Sequence, residues 1–161
     1  MNRLPVPTRA AIIKGLVEGN SVRAIARLTG TGKGTVLRLL AEVGEFCGVF
    51  QHYRFRKLAV QRVEADEVWG FCGAKAKNAS KPGQGDLWTY TAICSDSKLL
   101  FSWLIGPRSK WATRAFVRDM ASRLANRVQL TTDGLHWYEP AVRAAFGGEV
   151  DYGQRDRKSV V

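Results

Sequence analysis

Cysteine is sparse in this sequence. Cys47, Cys72 and Cys94 are odd in number, scattered, and form no C-x-x-C pair. They suit neither a disulfide framework nor a structural zinc site, and the general burial of cysteine predicts three buried free thiols. Long apolar runs are missing too. No stretch approaches the roughly 18 consecutive apolar residues of a membrane span. Pro5 and Pro7 break up the start, where a signal peptide would carry its apolar centre, so a cytoplasmic location is expected. Acids are few, with 14 Asp and Glu against 25 Lys and Arg and a net charge of +11. The imbalance is uneven: residues 1–62 hold eleven bases and three acids. Clustered bases gain affinity by displacing counterions from a polyanion, and charge alone does not say which one.

What is present, in 161 residues of which 45% are apolar, has room for one ordinary domain or for a small one followed by a medium one. Thr8 is placed to cap a first helix carrying Ala11, Ile12, Leu16 and Val17 on one face and stopping at Gly19. Ser21 caps a second, with Ala24, Ile25 and Leu28 turned inward. A third runs from about Lys33 to Val43, with Val36, Leu39 and Leu40 on one stripe, and Gly44 ends it. Residues 45–61 have no clean period and read as a linker or an extra helix. Beyond them the period changes to that of short strands rich in Val, Ile, Trp, Tyr, Thr and Phe: Val63 to Phe71, Leu87 to Cys94 and Leu99 to Ile105. An amphipathic helix from Trp111 to Leu124, a strand from Val128 to Thr132, a helix from Tyr138 to Phe146 and a strand from Val150 to Tyr152 follow. The order is βββαβαβ. The five tryptophans and most other aromatics are expected in the core.

From Val22 the spacing matches a helix-turn-helix. Ala26 is small where the two helices touch, Gly30 stands at a turn needing positive φ, and Val36 and Leu39 pack the second helix back. The exposed side of the third helix then offers Lys33, Thr35 and Arg38 to a DNA major groove, with Arg23 and Arg27 on phosphates. An ordinary three-helix packing unit is the plainer alternative. Gly30 to Thr35 is no nucleotide-binding loop, because Gly34 follows Lys33 where Ser or Thr is required and Arg27 stands where the first glycine should be.

Asp66 lies mid-strand among apolar residues, where a carboxylate is costly unless paired or bound to a metal. Asp133 ends a later strand, and Gly134 beside it allows close approach of a backbone or phosphate. In a βββαβ arrangement the first and fourth strands are neighbours, so the two acids can meet. That is a geometry for Mg²⁺ or Mn²⁺, hard cations that take oxygen ligands. Two such ions about 3.5 to 4 Å apart activate a nucleophile and stabilise the departing oxygen in phosphodiester exchange. Taken alone, Asp133 could equally be a turn residue. Glu67 alternates to the opposite face and is expected to be a solvated or salt-bridged neighbour; His136 is expected at the surface or in packing.

Asn2-Arg3-Leu4-Pro5, Ala65-Asp66-Glu67-Val68-Trp69, Ala74-Lys75-Ala76-Lys77-Asn78, the run Trp-Thr-Tyr-Thr-Ala-Ile at 88–93, and Ser122 to Thr131 leading into Asp133-Gly134 and Tyr138 together resemble the insertion-sequence-one group of bacterial transposases. The resemblance covers Met1 to about Tyr152. It implies a helix-turn-helix over residues 1–45, a linker over 46–61, and an RNase H-like DDE catalytic domain, incomplete at its C-terminus, over 62–161. It assigns the first two catalytic and metal-binding acids to Asp66 and Asp133. It further implies Mg²⁺ or Mn²⁺ as cofactor, double-stranded element ends and target DNA as partners, self-association on DNA, and a nucleoid-associated location. The members' last acid, a Glu on a helix beyond the final strand, has no counterpart through Val161, and neither Asp151 nor Asp156 stands on a suitable helix. The expectation is therefore a chain that binds element ends without joining them. A non-catalytic DNA-binding protein or repressor and a stand-alone RNase H-like nuclease are the rivals.

Overall fold

A computed structural model describes residues 3–155. The chain is mixed α/β and divides into two compact units, residues 1–54 and 55–161. Among the described residues no helix is long and apolar enough to cross a membrane.

The first unit holds α1 (Val6–Val17), α2 (Val22–Thr29) and α3 (Lys33–Arg54). Pro5 occupies the N-cap of α1, and Pro7 fits the first turn, where no amide donor is needed. Thr8, expected as the cap, therefore lies inside the helix. Ser21 does cap α2, its hydroxyl accepting from the Ala24 amide at 3.1 Å. Gly30 ends that helix in the left-handed region at φ 63°, as the turn requires. Ile12, Ile25, Val36 and Leu39 form the core. Leu28 and Leu40 are exposed instead, because the inward face of α2 runs through Val22, Ile25 and Ala26 and that of α3 through Val36, Leu39 and Val43. The tightest approach is at Gly15, where a Cβ would meet Ile25 Cδ1 at 2.3 Å. Gly44 does not stop α3. A single glycine costs a helix only about 1 kcal/mol, no proline follows it, and residues 45–54 continue the helix.

The second unit is built on a five-stranded sheet in the order β3-β2-β1-β4-β5. Its strands are β1 (Arg62–Cys72), β2 (Gly85–Cys94), β3 (Leu100–Gly106), β4 (Val128–Asp133) and β5 (Val150–Arg155), with α4 (Lys110–Arg123) and α5 (Tyr138–Phe146) between the later ones. β1–β2 and β2–β3 are antiparallel; β1–β4 and β4–β5 are parallel. Alternation sends Val63, Ala65, Tyr90, Ala92, Val128 and Leu130 into one core with Phe116, Val117 and Met120 of α4 and Tyr138 and Val142 of α5. Truncating Phe116, fully buried and 5.5 Å from the Tyr90 ring, would cost roughly 3–5 kcal/mol. Trp88 and Trp137 pack on this core, but Trp69, Trp103 and Trp111 are exposed, as are Cys47 and Cys72. Trp103 lies on the outward face of β3 and Trp111 at the start of α4, while Trp69 is exposed although it shares the inward parity of Val63 and Ala65.

Residues 55–61 are no free tether. The Leu58 amide donates to Arg123 O at 2.8 Å, and the Ala125 amide to Leu58 O at 3.0 Å. Arg123, largely buried, donates to the Phe55 carbonyl at 3.3 Å and pairs with Asp119 one turn back at 2.6 and 3.0 Å. Ser102 adds a hydroxyl donor to Asp119 at 2.6 Å. Burial would push the Asp119 carboxyl up, but the Arg123 and Ser102 donors hold it below its ordinary value. Removing the acid leaves a buried guanidinium short of its counter-charge, so Asp119→Ala should cost roughly 2–3 kcal/mol at neutral pH. A depressed folded-state pKa gives stability present above the unfolded value and lost as pH falls through the folded one. Urea titrations at descending pH should therefore show the gap between parent and variant closing only in strong acid.

Candidate functional site

The parallel register of β1 on β4 pairs Arg62 with Gln129 and continues to Ala65 with Thr132. Asp66 and Asp133 are the next pair in that register, level with each other and on one face of the sheet. β5 adds Arg155 opposite Asp133. The strand periodicity of Val63 to Trp69 is thus what sets Asp66 toward Asp133, because a slip of one residue would turn it into the core. Asp133 is held by its own turn, Oδ1 accepting from the Leu135 amide at 3.1 Å. Asp66 Oδ1 accepts from the Glu67 amide at 2.8 Å.

Glu67 belongs to the same cluster, which the alternation of side chains along β1 did not anticipate. One oxygen from each of Asp66, Glu67 and Asp133 lies within 4.8 Å of the others. The Glu67 side chain is 1% exposed, against the expectation of a solvated neighbour, although the salt bridge is present: Arg108 Nη2 lies 3.3 Å from Glu67 Oε2. The same nitrogen is 3.5 Å from Asp133 Oδ2. Arg108 arrives from the segment after β3 and lies over the Trp88 ring at 4.8 Å, a cation–π contact that fixes its direction. Burial pushes the Glu67 carboxyl above its ordinary value, with Asp133 adding repulsion and the Tyr138 hydroxyl and Arg108 opposing. Burial also raises Tyr138, helped by the negative field of Glu67.

A cleft of about 320 Å³ opens over the acids, lined by Asp66, Arg108, Asp133, Gly134, Leu135, His136 and Arg155. Its lining sets two carboxylates, Asp66 and Asp133, beside two bases, Arg108 and Arg155. His136 is exposed there and lies against Trp137, ring centroids 4.5 Å apart. Arg108 and Arg155 carried no sequence signal, since an arginine after a strand or near a chain end is ordinary. Asp151 stays out of the cluster, paired with Arg127 at 2.6 Å, and Asp156 lies outside the described residues. The cluster fits a hard divalent cation, because its donors are all carboxylate oxygens and Glu67 Oε1 is buried without a hydrogen-bond partner.

In the first unit Arg23 and Arg27 are exposed on α2, and Lys33 and Arg38 are exposed on α3. Thr35 is half-buried and accepts from Arg38 Nη2 at 3.3 Å. Arg3 and Arg9, counted in the basic head but not singled out from sequence, line one groove of about 450 Å³ with Thr35, Arg38 and Glu42.

A carboxyl whose pKa is raised by folding contributes stability below its unfolded value, near 4.5 for Glu67, and loses it as pH rises through the folded value. In metal-free solution Glu67→Gln should therefore be the more stable protein at pH 7, with the two melting curves converging below about pH 4.5. A variant less stable than the parent throughout would refute this balance. Comparison of the chain with known protein families and with curated proteins finds no match.

Proposed function

We propose that this chain is a DNA transposase of insertion-sequence type, with a helix-turn-helix head that binds element ends and an RNase H-like unit whose acids serve metal-dependent phosphodiester cleavage and strand transfer. The observation that carries this reading is the level placement of Asp66 and Asp133 on adjacent parallel strands, in a cleft that Arg108, His136 and Arg155 also line. Carboxylates and bases in one cleft suit a phosphodiester approached by a cation.

Asp66 and Asp133 would hold Mg²⁺ or Mn²⁺, which when bound lowers the pKa of an attacking water or 3′-hydroxyl and stabilises the leaving oxygen. The chain's own part is positional. The Leu135 amide fixes the Asp133 carboxylate, Gly134 leaves room for a phosphate, and Arg108 and Arg155 supply positive charge where the DNA backbone would lie. In the head, α3 would enter the major groove with Lys33, Thr35 and Arg38 toward base edges, while Arg23 and Arg27 meet phosphates on duplex element ends and target DNA. Self-association on DNA is part of the proposal.

Two measurements test it. Footprinting on candidate terminal repeats should show Arg38→Ala changing sequence preference. Arg27→Ala should weaken binding to all sequences and reduce the salt slope by about one. A folded chain with no preference for any repeat would overturn the head's assignment. In the second, a pre-cleaved end and a target plasmid are incubated with Mg²⁺ or Mn²⁺. Residues 1–161 should bind without joining, because two-metal exchange needs both ions in register and the members' third acid helps hold one. A version extended through a downstream helix and glutamate should join, and Asp133→Asn should abolish that. Joining by residues 1–161 would contradict the requirement for that acid, and joining unaffected by Asp133→Asn would refute the site.

A further inference from the structure

We infer that Glu67 is a third oxygen donor to a divalent cation held by Asp66 and Asp133, reaching the site from the core side of the sheet. The inference rests on the reading of Asp66 and Asp133 as a metal site.

Three observations carry it. The Glu67 side chain is 1% exposed, so water does not solvate it. Its Oε2 is occupied by Arg108, while Oε1 is buried without a hydrogen-bond partner. An ionised carboxylate with one bare oxygen in the interior is costly, and the cost is offset when the carboxylate meets a cation. Tyr138 is the neighbour on the core side: its hydroxyl is near enough to hold the Glu67 carboxyl down, but neither it nor Glu67 Oε1 completes a hydrogen bond of good geometry. Finally, one oxygen from each of Asp66, Glu67 and Asp133 falls within 4.8 Å of the other two. Opposite ligands of a six-coordinate Mg²⁺ stand about 4.2 Å apart and those of Ca²⁺ about 5 Å, so a small rotation of the exposed Asp66 side chain closes the shell around the smaller ion.

Arg108 fits the same account. Its guanidinium lies 3.3 Å from Glu67 and 3.5 Å from Asp133, spanning two of the three donors and supplying the positive charge they need in the absence of metal. A cation entering the site would take over that charge and leave Arg108, anchored on Trp88, turned toward the cleft and available to a phosphate.

The test is Mn²⁺ binding to the full chain, followed by electron paramagnetic resonance of free and bound ion, with no DNA and no turnover. The parent should bind one ion, and Asp66→Asn should abolish binding. Glu67→Gln should weaken it at least about tenfold, the scale on which even outer-shell partners act. Glu67→Asp, which keeps the charge but withdraws the oxygen by one methylene, should weaken it too, and it decides the matter if Glu67→Gln fails to fold. Parent-like affinity in a folded Glu67→Gln or Glu67→Asp, with Asp66→Asn silent, would overturn the role of Glu67 and leave the two-aspartate site standing. No saturable binding by the parent, or none lost in Asp66→Asn, would overturn the metal reading itself and Glu67 with it.

Discussion

Two like charges held level on neighbouring parallel strands are the constraint around which the second unit is arranged. The β1–β4 register brings Asp66 and Asp133 side by side, and repulsion between them would favour any slip that separated them. Apolar partners prevent it: Val63, Ala65 and Leu130 are buried in one core, and moving β1 by one residue would expose all of its inward side chains. The acids are thus held by hydrophobic packing against their own electrostatics. Arg108, contacting both Glu67 and Asp133, is the compensation available within the chain.

Much of this was legible in the sequence. Alternation of apolar and polar residues located all five strands, and the position of the fourth beside the first followed from their order. Glu67 was not legible. Strand periodicity correctly turns it away from Asp66, but the length of a glutamate, and a strand neighbour that places Arg108 and Tyr138 around it, bring its carboxylate back to the cluster. Arg108 likewise takes its meaning from Trp88, 20 residues before it and across the β2–β3 pair, a contact that no local pattern encodes.

In the head, the turn chemistry read cleanly because it is local: Ser21 accepts the Ala24 amide, and Gly30 takes up positive φ. The packing read less well. Leu28 and Leu40 look inward on a coarse apolar count and are exposed. Ala26 packs on the core of the unit, and Gly15 of α1 leaves no room for a Cβ beside Ile25. Gly44 reads as a stop, but no proline follows it before Arg54 and α3 runs through it. The groove that gathers Arg3 and Arg9 beside Thr35 and Arg38 is a tertiary feature that residue counting does not supply.

On the function proposed here, a divalent cation belongs between these acids. A crystal of the chain grown with Mn²⁺, measured for anomalous scattering at the manganese edge, tests it without any assay of activity. The account predicts one strong peak between the carboxylates of Asp66 and Asp133, at about 2.1 Å from an oxygen of each, with Arg108 withdrawn from Asp133. A map with no peak there, and Arg108 still bridging Glu67 and Asp133, would contradict it.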